Sequence, residues 1–189
     1  MIETGSKREF IENEFMVSSI NAAFQRAVIY SRLIKVEECD REELRKELSA
    51  QIKAKAHAYS DKVDEDKHID YIVEIAKTIS DKFKSIIHDG EFRIGIAQKA
   101  FNLYLKYLWC VGRIPTPPHC PFDGIIIAKL KINDPNVETR WTELKLINDY
   151  EKLVVAARNQ ANDKMLAEWE LQVWNENRDR NKSKPTAKA

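Results

Sequence analysis

Between Gly95 and Ile127 the chain reads GIAQKAFNLYLKYLWCVGRIPTPPHCPFDGIII, and two features in it carry groups able to do chemistry. Four polar residues, Gln98, Lys99, Asn102 and Lys106, lie among Ile96, Phe101, Leu103, Tyr104, Leu105, Leu108, Trp109 and Val111. On a helix, positions 99, 102 and 106 share one face and Gln98 borders it. A helix this apolar is surrounded by neighbours, so its polar stripe must reach water, pair with buried groups or line a cleft. The second feature is Asp123, the single charge between Arg113 and Lys129. An amine and a carboxylate that meet in one cleft are the types that nucleophilic catalysis uses.

These residues resemble the signature of the helix-hairpin-helix DNA glycosylases. That family carries Gly-(Val/Ile)-x-x-Lys and, further on, Pro-(Val/Ile/Leu)-Asp-x-x-(Val/Ile/Met). Here Gly95, Ile96 and Lys99 match the first part, and Pro121, Asp123 and Ile126 match the second. Lys106 stands where the archaeal 8-oxoguanine branch has a second lysine. The resemblance implies that Lys99 attacks the sugar C1′ of a damaged nucleotide and that Asp123 assists. A Schiff base then forms and the strand is cleaved by β-elimination. It implies DNA as partner, no cofactor, and a flipped base held near Gln98, Asn102, Lys106, Trp109 and His119. The chain departs from the family at the hairpin, where FRIGIA puts Ala97 in place of the second phosphate-binding glycine and has no proline before the first.

Other constellations compete for the same segment. Arg113 and His119 make an Arg-x5-His pattern that resembles the HEPN ribonucleases, in which histidine serves as acid or base. Four prolines at 115, 117, 118 and 121 disfavour the helix that this pattern needs. Cys110, His119 and Cys120 could suggest zinc, but two adjacent ligands are awkward and no fourth has suitable spacing, so no metal is expected. Cys110 reads as a small core hydrophobe, and SDKVDEDKH as a solvated helix entry. A non-catalytic helical binding or regulatory module is the alternative to any enzyme.

The elements that must position these residues read as helical throughout. Apolar spacing predicts helices over about 7–34, 40–58, 68–87, 95–112, 139–160 and 163–177. Asp40 with Glu43 forms a capping-box signal, and Gly90 is a plausible stop. Residues 122–132 read equally as a short helix or a strand, and NDPN as a turn. The expectation is an all-α domain of six to seven helices spanning 1–178, as one body or as two small lobes around a cleft, with 179–189 a basic disordered tail.

With 43% hydrophobic residues in 189, the chain can bury a core without staples. No run approaches the ~18 apolar residues of a membrane span, and the charged N-terminus lacks a signal core. Three cysteines without CxxC spacing suggest a reducing, cytoplasmic setting. Net charge is only +1, yet residues 81–131 carry eight bases against four acids, so the basic part surrounds the Lys99 segment.

Overall fold

The computed structural model describes residues 5–132 and 140–182, with side chains described as far as residue 179. Among the described residues the chain forms seven α-helices and no sheet. They are α1 (Gly5–Phe24), α2 (Glu38–Ala56), α3 (Glu65–Phe83), α4 (Ile94–Cys110), α5 (Gly124–Lys131), α6 (Ile147–Ala161) and α7 (Leu166–Lys182). A single buried apolar cluster draws on all seven. No described helix is long and apolar enough to cross a membrane.

Helix α4 is the axis of the molecule. All of its residues except Tyr107, Trp109 and Cys110 are buried, against α1, α2, α3 and α6. It ends where Gly112 adopts φ +73°. The Gly112 N–H donates to Trp109 O (2.9 Å) and the Arg113 N–H to Leu108 O (2.9 Å), the bond pair of a Schellman stop. Cys110 lies exposed on this last turn, so its expected place in the core is corrected.

Several element boundaries differ from the expectation. Helix α1 stops at Phe24 rather than near 34, because Ile29–Ser31 run extended beside Ile86–His88. Ser31 N–H donates to Ile86 O (2.8 Å) and His88 N–H to Ile29 O (2.9 Å). Helix α2 begins after Glu37, without a side-chain cap, instead of at Asp40. Helix α3 is capped by Asp64, whose carboxylate accepts from Lys67 N (2.8 Å). Residues 124–131 are helical, with Asp123 as cap. Helix α7 extends to Lys182, through the first part of the expected tail; residues 183–189 and the NDPN turn lie outside the described residues.

The predicted helix over 139–160 is divided. Trp141–Glu143 make a single 3-10 turn, and α6 starts only at Ile147. The cause is the start of α4: Gly95 N–H donates to Leu144 O (3.0 Å), which requires extended backbone at Leu144. A Cβ on Gly95 would lie 1.6 Å from Trp141 O. Gly95→Ala is therefore expected to destabilise by about 3 kcal/mol, the upper end of ordinary overpacking, as a urea-unfolding midpoint would report.

Candidate functional site

The proline-rich bend between α4 and α5 has few backbone donors of its own, and the polar stripe of α4 supplies partners for it. The Gln98 amide nitrogen donates to Phe122 O (2.8 Å) and Gly95 O (3.0 Å), while its oxygen accepts from Phe122 N (3.1 Å). Asn102 Nδ2 donates to Cys120 O (2.9 Å) and faces Tyr150 Oη at 3.2 Å. One glutamine thus clamps both backbone groups of Phe122, and the next residue in the chain is Asp123.

This clamp brings together residues 24 positions apart. Lys99 Nζ donates to Asp123 Oδ2 at 2.7 Å. The other carboxylate oxygen accepts from Ile125 N (2.9 Å) and Ile126 N (3.2 Å), capping α5 at its positive end. The Lys99 side chain is 7% exposed and that of Asp123 20%, so the pair sits at the rim of the core, with the carboxylate on the outer side. Gly124 beside it is exposed, and Arg26 Nη1 lies 3.5 Å from where its Cβ would be.

Lys106, one helical step further along the stripe, meets a partner from α7. Its amine lies 2.7 and 3.0 Å from the two oxygens of Glu170, which is 1% exposed, and 5.4 Å from the centre of the Trp174 ring. Burial raises the Glu170 carboxyl above its ordinary range, against the pull of Lys106. Burial also pushes up the Cys120 thiol, which feels Glu170, Lys106 and Asp123. Two amines from α4, a carboxylate from the α5 cap and one from α7 thus form a single charged cluster around an inert thiol.

Three residues expected to contact substrate are taken up internally instead. Gln98 and Asn102 are fully buried, because the bend consumes their amides. His119 is also buried, with Nδ1 2.7 Å from Tyr150 Oη and Nε2 3.2 Å from Glu65 Oε1. Trp109 stands in the last turn of α4, ten residues beyond Lys99; it lines a shallow groove of about 410 Å³ with α7 residues that include Glu168, Glu176 and Asp179. These acids would repel a phosphate backbone. Arg113 lines a different groove, of about 500 Å³, with Arg8, Glu12, Lys53 and Tyr104; His119 is not among its lining residues. The described residues contain no cluster of three or more His, Cys, Asp or Glu side chains suited to a metal.

The hairpin amide that the glycosylase resemblance would aim at phosphate is spent on Leu144 O. The first turn of α4 is buried beneath the Trp141–Leu144 turn, where Arg93 also donates to Thr142 O (3.0 Å).

Sequence reading missed Glu65, His68 and Glu170. Two of them carried a signal. Glu170 falls on the same helical face as Leu166 and Val173, and His68 on the face of Ile72, Ile75 and Ile79. A polar group on an apolar stripe has a buried partner. The rings of His68 and His119 meet edge to face, 4.5 Å between centroids, and burial lowers the basicity of both. Such groups favour the fold while neutral; their stabilisation is complete above about pH 6.5 and is lost as pH falls through the lowered folded values. Thermal unfolding is accordingly expected to shift downward below about pH 6.5, and less so in His68→Phe.

No family model, curated protein or solved structure matches this chain.

Proposed function

We propose that the chain is a DNA lyase of the glycosylase type, acting on abasic or damaged nucleotides with Lys99 as nucleophile and Asp123 as its acid. One observation carries this reading: an amine and a carboxylate 2.7 Å apart, brought together by the clamp on Phe122, at the edge of the buried region. On an abasic site the amine adds to C1′ of the open sugar and water leaves, giving a C1′–Nζ iminium. Loss of the C2′ proton then expels the 3′ phosphate. On a base-bearing nucleotide the C1′–N bond breaks as C1′–Nζ forms, and the departing base takes the proton from the ammonium. In both cases positive charge develops at the sugar within reach of Asp123, which stabilises it electrostatically.

About two helical turns along α4 from Lys99, Trp174 of α7 lies over the Lys106 amine and offers a stacking face to a flipped base. Arg26, exposed beside Gly124, offers a phosphate contact. The setting is a reducing cytoplasm, in keeping with the free cysteines at 39, 110 and 120. The test is incubation with duplex DNA that contains one abasic site. A β-elimination nick that depends on Lys99 supports the reading, and an intact strand at enzyme excess contradicts it.

A second reading, a non-catalytic helical module, is favoured by one fact. Gln98, Asn102 and Lys106 spend their polar groups inside the molecule, as a purely structural strap for the bend would.

A further inference from the structure

The clamp on Phe122 continues into a chain of buried polar groups whose direction can be worked out atom by atom. At its outer end, Glu65 Oε1 lies 3.2 Å from His119 Nε2, and the other carboxylate oxygen pairs with Arg158 of α6. A carboxylate only accepts, so His119 carries its proton on Nε2 and offers Nδ1 as acceptor. Tyr150 therefore donates its hydroxyl proton to Nδ1 (2.7 Å). The Tyr150 oxygen is left to accept from Asn102 Nδ2 (3.2 Å). That fixes the Asn102 amide with its nitrogen toward Cys120 O (2.9 Å) and Gln98 Oε1 (3.4 Å). Neither the Asn102 oxygen nor His68 Nε2 has a hydrogen-bond partner among the described residues. The other ring nitrogen, His68 Nδ1, lies 2.5 Å from Tyr59 Oη.

We infer that Glu65, acting through His119 and Tyr150, is a positioning residue for Asp123. Its carboxylate sets the proton order that keeps Asn102 and Gln98 clamped on Cys120 and Phe122, and so holds Asp123 against Lys99. The inference rests on the reading of Lys99 and Asp123 as the reactive pair. The charged and titratable groups facing His119 are Glu65 and His68 from α3, and Arg158 and Tyr150 from α6. Glu65 is held down at about 2 by His119 and Arg158, so it remains a carboxylate throughout the range that matters. His119 is the group that changes. Once protonated, its Nδ1–H faces the Tyr150 hydroxyl, the hydroxyl proton loses its acceptor, and the order from Tyr150 inward is lost. Burial lowers the basicity of His119, so this happens below its ordinary value of 6.5.

The experiment follows two quantities between pH 4.5 and 8 in the full chain, for wild type, Tyr150→Phe and Glu65→Gln. The first is the rate of borohydride trapping on abasic duplex DNA. The second is amide hydrogen exchange at Phe122 without DNA, which reads the clamp directly. At neutral pH Tyr150→Phe is expected to trap about tenfold to a hundredfold more slowly, the size expected from a small misplacement of a reacting group, and to exchange the Phe122 amide faster. The ratio of wild type to Tyr150→Phe should fall toward one below pH 6.5, where wild type loses the same order; a ratio cancels any pH effect that the two proteins share. Glu65→Gln keeps an acceptor oxygen but removes the charge that supports protonated His119, so its loss of order should move to lower pH. A merely structural contact would not move that midpoint. Equal trapping, equal Phe122 exchange and an unchanged pH profile in both variants would overturn the inference. If wild type traps nothing, the lyase reading fails on its own. Phe122 exchange then decides the inference: pH-dependent loss of protection, absent in Tyr150→Phe, upholds the clamp control, and pH-independent protection overturns it.

Discussion

Lys106→Ala is expected to lower the free energy of unfolding by about 3–5 kcal/mol, the usual consequence of removing one partner from a buried ion pair. The reason is specific to Glu170. It is 1% exposed, and Lys106 is the cation that meets both of its oxygens. Without that amine the carboxylate must protonate or draw water into a core formed by α4, α5 and α7. The penalty should therefore grow with pH above the raised Glu170 value. Replacing both partners by apolar groups, Lys106→Met with Glu170→Leu, should recover most of the loss, because two apolar side chains of similar volume leave no unpaired charge. Denaturant unfolding of the single and double variants closes the cycle. A double variant as unstable as the single one would mean that the pair is held by packing rather than by charge.

Lys99→Ala is expected to behave in the opposite sense. Its partner Asp123 is 20% exposed and keeps two backbone amides from Ile125 and Ile126, so it can be solvated where Glu170 cannot. Stability should fall by much less than in Lys106→Ala, while strand cleavage should be lost altogether, because no other amine replaces the C1′–Nζ bond. Asp123→Asn retains an oxygen for the α5 cap and removes the charge. Its cleavage rate should fall about a hundredfold to a thousandfold, the size found when one preorganised electrostatic partner of a developing charge is removed. The two lysines thus separate stability from activity: one amine keeps the core neutral, and the other faces its rim. Single-turnover cleavage measured beside urea unfolding for the two alanine variants checks this division.

The stripe on α4 and the lone acid were legible in the sequence because each broke an otherwise apolar pattern, and a buried polar group needs a partner. The all-α architecture was legible for the same reason, through the 3.6-residue period. Partners were not legible where they lie far along the chain. Glu170 meets Lys106 from 64 residues away, and Glu65 meets His119 from 54. Glu65 sits in a run of acids, VDEDKH, that reads as solvated surface, and only the approach of α6 gives it Arg158. The early end of α1 was equally hidden. Residues 25–34 have helical apolar spacing, but the backbone pairing of Ile29 and Ser31 with His88 and Ile86 overrides it. Trp109 illustrates a third limit. Its aromatic ring, suited to stacking on a flipped base, suggested the site, but it stands in the last turn of α4, ten residues beyond Lys99, and opens onto the acidic surface of α7.

The most direct test of the central claim is borohydride trapping on abasic duplex DNA, followed by proteolysis and mass mapping of the modified peptide. One reduced adduct is expected, on Lys99 in the GIAQKAF segment, absent from Lys99→Ala and formed far more slowly by Asp123→Asn. An adduct on Lys106, adducts scattered over exposed lysines such as Lys77 or Lys152, or none at enzyme excess would contradict it. The Lys99–Asp123 pair would then be a structural tie between α4 and the bend that α4 holds.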